Sequence, residues 1–134
     1  MANSLAVEAK IANIGVITNY IDAILPNIEK KIKKRMHIAA DEVFSNIVRH
    51  GQLSERAIVN VNIAVATDKS NAAITFTDCG VAFNPLEQAD LYTAPSSVDD
   101  KVHGLGTYIL VWTADCVEYR RDCCVNVLTM RFAL

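Results

Sequence analysis

The chain has 134 residues and a net charge of −2 at pH 7, with 51% hydrophobic and 21% charged residues. These values indicate a single globular domain spanning residues 1–134 and exclude a disordered chain. The slight acidity argues against nucleic-acid binding. Because no stretch reaches 18 apolar residues and no signal peptide is present, we expect no membrane insertion and a cytoplasmic location.

The four cysteines do not have the spacing of a disulfide framework. Cys123 and Cys124 are adjacent, and there is no Cys-x-x-Cys pair. We therefore expect buried or half-buried free thiols in a reducing compartment.

The first half of the chain predicts a strand followed by two helices. Residues 4–10 alternate weakly, as in a strand. Asn13 can cap a helix that runs to about Leu25, where Pro26 ends it. A second helix is expected from about residue 27 to residue 50, with Gly51 at its C-terminal end. Apolar residues spaced three and four apart support this helix: Ile28, Ile32, Met36, Ala39, Val43 and Ile47.

The second half predicts strands around a long loop. Residues 58–66 and 72–78 form a hairpin, and residues 86–103 show no clear period. Residues 104–114 are apolar on nearly all sides and predict a buried helix. Two strands follow, near 116–121 and 124–132. This order predicts an α+β fold, a two-layer sandwich in which helices cover one face of a mixed, mostly antiparallel sheet.

The first of three informative segments lies on the second predicted helix. Glu42 and Asn46 are four residues apart, so both side chains point to one side at the edge of the apolar stripe. A partly desolvated carboxylate can serve as a general base. A carboxamide oxygen suits Mg²⁺, which also binds water and phosphate oxygens. Two solvated surface residues would have the same spacing, so both interpretations stand at this point.

The second segment contains an acid followed by a glycine, and the third contains two glycines. Asp78 ends a predicted strand and Gly80 follows, which allows either a turn or a close approach to a ligand. Gly104 and Gly106 open a predicted helix, where free N–H groups attract anions. The dinucleotide fingerprint G-x-G-x-x-G is excluded by Ile109, and no Gly-Lys-Ser/Thr motif of the Walker type is present.

In this order, the three segments resemble the three boxes of the GHKL ATPase superfamily. Residues 39–51 match its N box, residues 77–85 its first glycine box, and residues 103–109 its second. Within that superfamily the chain is similar to the small anti-sigma-factor serine kinases, which have the Bergerat-type fold. The similarity covers nearly the whole chain.

The resemblance implies binding of ATP and Mg²⁺, with a role for each matching residue. Glu42 would take the proton from a substrate serine, Asn46 would hold Mg²⁺, and Asp78 would bind the adenine amino group. Residues 86–103 would form a lid over the nucleotide. Lys101 is the only lysine or arginine in that segment, so we expect it to contact phosphate, with a solvated lysine as the alternative. The remaining implied ATP-binding residues are Arg49, His50, Gly80, Phe83, His103, Gly104, Leu105, Gly106, Thr107 and Thr129.

The implied function is a serine kinase that phosphorylates an antagonist protein and sequesters a sigma factor or a similar regulator. A homodimer through the first strand and helix is one assembly that the resemblance suggests. Two departures concern the lid hinge and the partner surface: Ala82 replaces a frequent second glycine, and the first arginine is Arg35, beyond the first helix. Two alternatives stay open: a nucleotide-dependent binding module without kinase activity, and an isolated histidine-kinase-type ATPase domain. A base at Glu42 favours catalysis.

Overall fold

The computed structural model describes residues 2–87 and 112–134. The described part contains two α-helices and five β-strands. In chain order they are β1 (Ala2–Glu8), α1 (Ile14–Ile24), α2 (Lys30–His50), β2 (Ile58–Val65), β3 (Asn71–Asp78), β4 (Cys116–Asp122) and β5 (Val125–Ala133).

The five strands form one sheet in the order β1-β2-β3-β5-β4, and all four pairings are antiparallel. The last strand therefore lies between β3 and β4. Its register places Asn126 opposite Asp78, so the end of β3 meets the beginning of β5.

The core lies between one face of the sheet and the two helices. Every second residue of the central strands is buried there, because successive side chains of a strand point to opposite faces. On β5 these residues are Asn126, Leu128, Met130 and Phe132, and on α2 the apolar stripe from Met36 to Phe44 packs against them. The opposite face of the sheet carries polar side chains in register, Ser4, Asn62, Thr75, Thr129 and Glu118. The predicted α+β sandwich is confirmed.

Local details differ from the sequence predictions at the helix ends. Asn13 precedes α1, but its side chain donates to the Glu8 carbonyl at 2.9 Å and makes no capping bond to the helix. The second helix begins at Lys30, three residues later than expected. Gly51 has a φ of −75°, and Gln52 takes the left-handed conformation with a φ of 53°. Gly51 is needed for space instead, since a Cβ there would lie 2.6 Å from the Ile47 carbonyl oxygen.

The prediction of buried or half-buried thiols is wrong. All four cysteines are free and exposed. Cys79 follows the end of β3, Cys123 and Cys124 form the turn between β4 and β5, and Cys116 begins β4. A turn or strand end gives these side chains no apolar layer to enter.

Two expected features fall mainly outside the described residues. Only Leu86 and Glu87 of the predicted lid, and only Trp112 to Ala114 of the predicted third helix, belong to the described part. There, Trp112 is 66% exposed while Ala114 is buried. Within the described ranges, no helix has the length and apolarity needed to cross a membrane.

Candidate functional site

The first two sequence motifs meet where α2 and β3 end. The Val81 backbone N–H donates to the Gly51 carbonyl at 3.1 Å. A Cβ on Gly80 would lie 2.7 Å from that carbonyl oxygen and 2.9 Å from the Gly51 Cα. Because glycine stands at position 80, the two backbones can touch. This contact brings the end of the helix beside the turn after Asp78.

Glu42, Asn46 and Arg49 form a polar cluster on one side of α2. The Arg49 guanidinium donates to Asn46 Oδ1 at 3.0 Å and lies 3.4 Å from Glu42 Oε1. Asn46 is buried, the Glu42 side chain is 18% exposed, and that of Arg49 is 56% exposed. The predicted base and metal ligand therefore lie side by side at the edge of the core, with a cation on their solvent side.

The cluster fits Mg²⁺ with ATP. A carboxylate and an amide oxygen are hard donors of the kind that Mg²⁺ binds, and both already attract one cationic group. The Arg49 side chain is exposed and its guanidinium lies at the end of a long, flexible stem, so it can leave these oxygens and bind phosphate instead. Asn46 would hold the ion together with phosphate oxygens and water.

Asp78 is buried and partly committed to hydrogen bonds. Its Oδ1 accepts from the Gly80 N–H at 2.8 Å and from Asn126 Nδ2 at 3.1 Å. Its Oδ2 accepts no hydrogen bond from the residues that the structure describes. One carboxylate oxygen thus remains for a ligand.

Asp78 lines a small cavity between α2 and the sheet. The cavity has a volume of about 20 Å³, room for about one water molecule rather than a purine. A base would therefore have to move part of the wall. The lining is mostly apolar, with polar groups at one side: Val43, Asn46, Ile47, Asp78, Phe83, Pro85, Tyr119, Asn126 and Leu128.

His50 at the end of α2 packs on Phe83, which lines the cavity. Their rings stack with centroids 4.5 Å apart and an interplanar angle of 18°. His50 is exposed and Phe83 half-buried. Both belong to the predicted site, and the structure brings them together beside Asp78.

Sequence reasoning missed three residues of β4 and β5. Asn126, Tyr119 and Arg121 form a hydrogen-bonded group behind Asp78 and Gly80. One signal for Asn126 was present. It is a polar residue at a buried position of the alternation that continues through Leu128, Met130 and Phe132.

The structure corrects the assignment of Thr129 to the adenine site. Thr129 Oγ1 lies 3.1 Å from Thr75 Oγ1 on the face of the sheet away from the helices. Asn126 and Leu128 point to the helix face. Because successive side chains of a strand point to opposite faces, Thr129 points away from the helices. Thr129 therefore cannot reach the cavity beside Asp78.

Arg35 has a structural role in the fold. Its Nε donates to the Thr113 carbonyl at 2.9 Å, and its Nη2 lies 3.3 Å from Asp115 Oδ1. Asp115 also accepts from the Ala133 N–H at 2.7 Å. The arginine thus fixes the start of the C-terminal hairpin to α2.

The second glycine box lies outside the described residues, so these assignments stay predictions. They concern Lys101, His103, Gly104, Leu105, Gly106 and Thr107, as well as residues 88–103 of the expected lid.

A carboxylate and an amide on α2 thus lie beside an acid at the end of β3, the arrangement that the resemblance to GHKL ATPases predicts. The chain belongs to the histidine kinase-like ATPase domain family, whose model matches residues 7–132. This confirms the superfamily resemblance. A comparison with curated proteins found no match.

Solved structures with the same fold include one from each of three bacteria. The RsbU and RsbW domains of Rv1364c from Mycobacterium tuberculosis align with a TM-score of 0.71 at 14% identity, over 100% of this chain. This chain spans only 32% of that protein chain. A chain of the SiaB–SiaC complex from Pseudomonas aeruginosa aligns with a TM-score of 0.67 at 10% identity, covering 97% of this chain and 88% of that one.

The third structure is the histidine kinase domain of the blue-light activated histidine kinase EL346 from Erythrobacter litoralis. It aligns with a TM-score of 0.56 at 16% identity, over 95% of this chain and 61% of that one. At these identities the three structures establish a shared fold.

Proposed function

We propose that residues 1–134 act as one ATP- and Mg²⁺-dependent serine kinase domain of the anti-sigma-factor type. The observation that carries the proposal is the pairing of Glu42 with Asn46 at the edge of the core, beside the buried Asp78. The family supplies ATP binding. The base on α2 supports phosphotransfer, because nucleotide binding alone needs no proton acceptor.

Each residue has one role in the proposed reaction. Asp78 Oδ2 accepts a hydrogen bond from the base of the nucleotide. Asn46 holds Mg²⁺, which neutralises phosphate charge when it is bound. Glu42 takes the proton from the serine hydroxyl of the substrate. Arg49 leaves the two helix side chains and contacts phosphate.

We further propose that the substrate is an antagonist protein, and that the kinase sequesters a sigma factor or a similar regulator. One structure with this fold is a complex of two proteins, SiaB and SiaC, and another contains an RsbW domain. Four exposed free thiols support action in a reducing compartment such as the cytoplasm. Binding of a second copy of this chain remains part of the proposal.

The contact between Arg49 and Glu42 favours one alternative, a nucleotide-dependent binding module. A carboxylate that stays paired with a guanidinium is a poor proton acceptor. If Arg49 keeps this position when ATP binds, the site would bind nucleotide without transferring phosphate.

Two measurements with one matched control separate these functions. Calorimetry measures ATP binding with Mg²⁺, and labelled ATP measures phosphotransfer to an antagonist-type protein encoded nearby. Glu42→Gln should keep ATP affinity and lose phosphotransfer by about 100-fold or more, the scale of a general base. Glu55→Gln, an exposed glutamate outside the site, should leave both unchanged.

Each result decides one point. No adenine-nucleotide binding at millimolar concentration would overturn the ATP site. Binding without phosphotransfer in the unmodified protein would select the binding module. Equal phosphotransfer by the unmodified protein and Glu42→Gln would remove Glu42 as the base.

A further inference from the structure

We infer that Asn126, held by Tyr119 and Arg121, is a positioning residue that sets the base specificity of the site through Asp78. The inference rests on the proposed nucleotide binding. It concerns a question that ATP binding alone leaves open, namely what makes Asp78 select a base with an amino group.

The Asn126 side chain is buried and has both ends engaged. Its Nδ2 donates to Asp78 Oδ1 at 3.1 Å, to the Val81 carbonyl at 2.9 Å and to the Gly80 carbonyl at 3.4 Å. Its Oδ1 accepts from the Tyr119 hydroxyl and from Arg121 Nη1 at 3.1 Å.

These partners permit only one orientation of the Asn126 amide. Arg121 can only donate a hydrogen bond, so it must face the oxygen. The Val81 carbonyl can only accept, so it must face the nitrogen. The amide donor therefore points at Asp78 in a fixed direction.

This orientation determines what Asp78 offers to a ligand. Its Oδ1 already accepts two hydrogen bonds, from Gly80 N–H and from Asn126. Only Oδ2 remains, and an ionised carboxylate oxygen can only accept. A base with an N–H donor at that point is favoured, and a base without one leaves a buried carboxylate oxygen without a hydrogen bond, which is costly.

Arg121 extends the same support to the turn after β3. Its Nη1 also donates to the Gly80 carbonyl at 2.7 Å. Strands β4 and β5 thus hold residues 78–81 from the sheet side, while Gly51 contacts Gly80 and Val81 from the helix side. The Asp78 carboxylate is held in place from two directions.

A purely stabilising role would not require an amide at position 126. The neighbouring inward positions of β5 are Leu128, Met130 and Phe132, and an apolar side chain would continue that layer. The free-energy cost of desolvating a buried polar group is offset only when all its hydrogen bonds are made. A fully connected amide beside a binding acid indicates selection for orientation.

The test compares ATP with purine riboside triphosphate, which lacks only the 6-amino group, and with inorganic tripolyphosphate. Calorimetry with Mg²⁺ gives the dissociation constant of each for the unmodified protein, Asn126→Leu and Tyr119→Phe. Thr129→Val, on the same strand but the opposite face, is the matched control.

The unmodified protein should prefer ATP over purine riboside triphosphate by about 10-fold or more, the scale of one hydrogen bond to a charged group. Asn126→Leu should abolish most of that preference, and Tyr119→Phe should reduce it by about threefold on the scale of a neutral hydrogen bond. Neither should change tripolyphosphate binding. Thr129→Val should keep the preference.

Every other result counts against one specific statement. A protein that binds neither nucleotide contradicts the proposed function itself. Binding of ATP and its analogue with equal affinity, or a preference that survives both variants, overturns the role of Asn126. A uniform loss for all three ligands means that Asn126 is only structural, and also overturns it. If Asn126→Leu does not fold, Tyr119→Phe decides alone.

Discussion

The two ends of the layer between the helices and the sheet bury different kinds of side chain. At the end where α2 and β3 finish, the buried polar residues of the described chain come together: Asn46, Asp78 and Asn126. At the other end the buried side chains are apolar, among them Leu25, Ala72 and Phe132, and an open cleft of about 500 Å³ lies beside the junction of α1 and α2. The two ends thus differ in what is buried: apolar packing at one end, and at the other a hydrogen-bonded polar group that belongs to the proposed nucleotide site.

The largest expected effect is on stability at the apolar end. Phe132 is fully buried near the end of β5. We expect Phe132→Ala to lower the free energy of unfolding by about 3–5 kcal/mol, because it removes buried surface and leaves a cavity. Urea denaturation measures this loss. ATP affinity of the folded protein, measured at low temperature, should not change. A parallel loss of affinity would mean that the two ends are not separable.

At the polar end, Asp78→Asn should affect binding more than stability. An asparagine can keep the two hydrogen bonds to its Oδ1, but it places an NH₂ group where Oδ2 faces the base. ATP affinity should fall by about 10- to 100-fold, the value of one hydrogen bond to a charged group. Calorimetry measures the affinity and urea denaturation the stability. A stability loss as large as that of Phe132→Ala would contradict the division of roles.

Gly80→Ala should affect stability and binding together, because it separates the two motifs. Its Cβ would lie 2.7 Å from the Gly51 carbonyl oxygen and 2.9 Å from Asp78 Oδ1, so backbone must shift. We expect a stability loss of about 1–3 kcal/mol, typical of overpacking, and weaker ATP binding. Gly15→Ala is the matched control. Apart from its chain neighbours and the backbone of its own helix, no atom of the described residues lies within 4 Å of the added Cβ, and the substitution should stabilise α1 by about 0.5 kcal/mol. Equal behaviour of the two variants would remove the contact argument.

The smallest expected effects are changes in stability when either of two tyrosine hydroxyls is removed. The Tyr20 hydroxyl on α1 is buried and has no hydrogen-bond partner among residues 2–87 and 112–134, whereas that of Tyr119 donates to Asn126. Tyr20→Phe should raise the free energy of unfolding by about 1 kcal/mol, and Tyr119→Phe should lower it by a similar amount. Thermal denaturation measures both. A loss of stability in Tyr20→Phe would show that its hydroxyl is satisfied in solution.

Tyr20 also predicts a dependence on alkaline pH. Burial raises the pKa of the Tyr20 hydroxyl above its ordinary value near 10. The unfolded chain therefore loses this proton first as the pH rises, and stability should fall above about pH 10. Tyr20→Phe should lack this part of the decline.

The sequence predicted the elements of this fold well because their signals are local. The apolar spacing of α2 predicts that Glu42 and Asn46 lie on one side of that helix, and the turn signals of the first hairpin predict that Asp78 ends its returning strand, β3; neither prediction needs knowledge of the other strands. Thr129 was placed wrongly and Asn126 was missed because both depend on register. Whether a side chain of β5 faces Asp78 is decided by how β5 pairs with β3, and a shift of one residue reverses the answer.

The thiols were misjudged for a related reason. Cysteine is a commonly buried residue type, but Cys79, Cys123 and Cys124 lie in turns whose exposure follows from the topology. The contact of Gly51 with Gly80 could not be predicted either, because the sequence around one glycine gives no sign that the other lies beside it.

The position of β5 between β3 and β4 has a consequence for the timing of synthesis. Asp78 receives its partner Asn126 from a strand that leaves the ribosome later, 48 residues further along the chain. A nascent chain that has already formed β1 to β3 still lacks the group that orients its base-binding acid. We therefore expect selective nucleotide binding to begin only after the hairpin of β4 and β5 has joined the sheet, so that the ligand distinguishes chains with this hairpin in place from chains that still lack it.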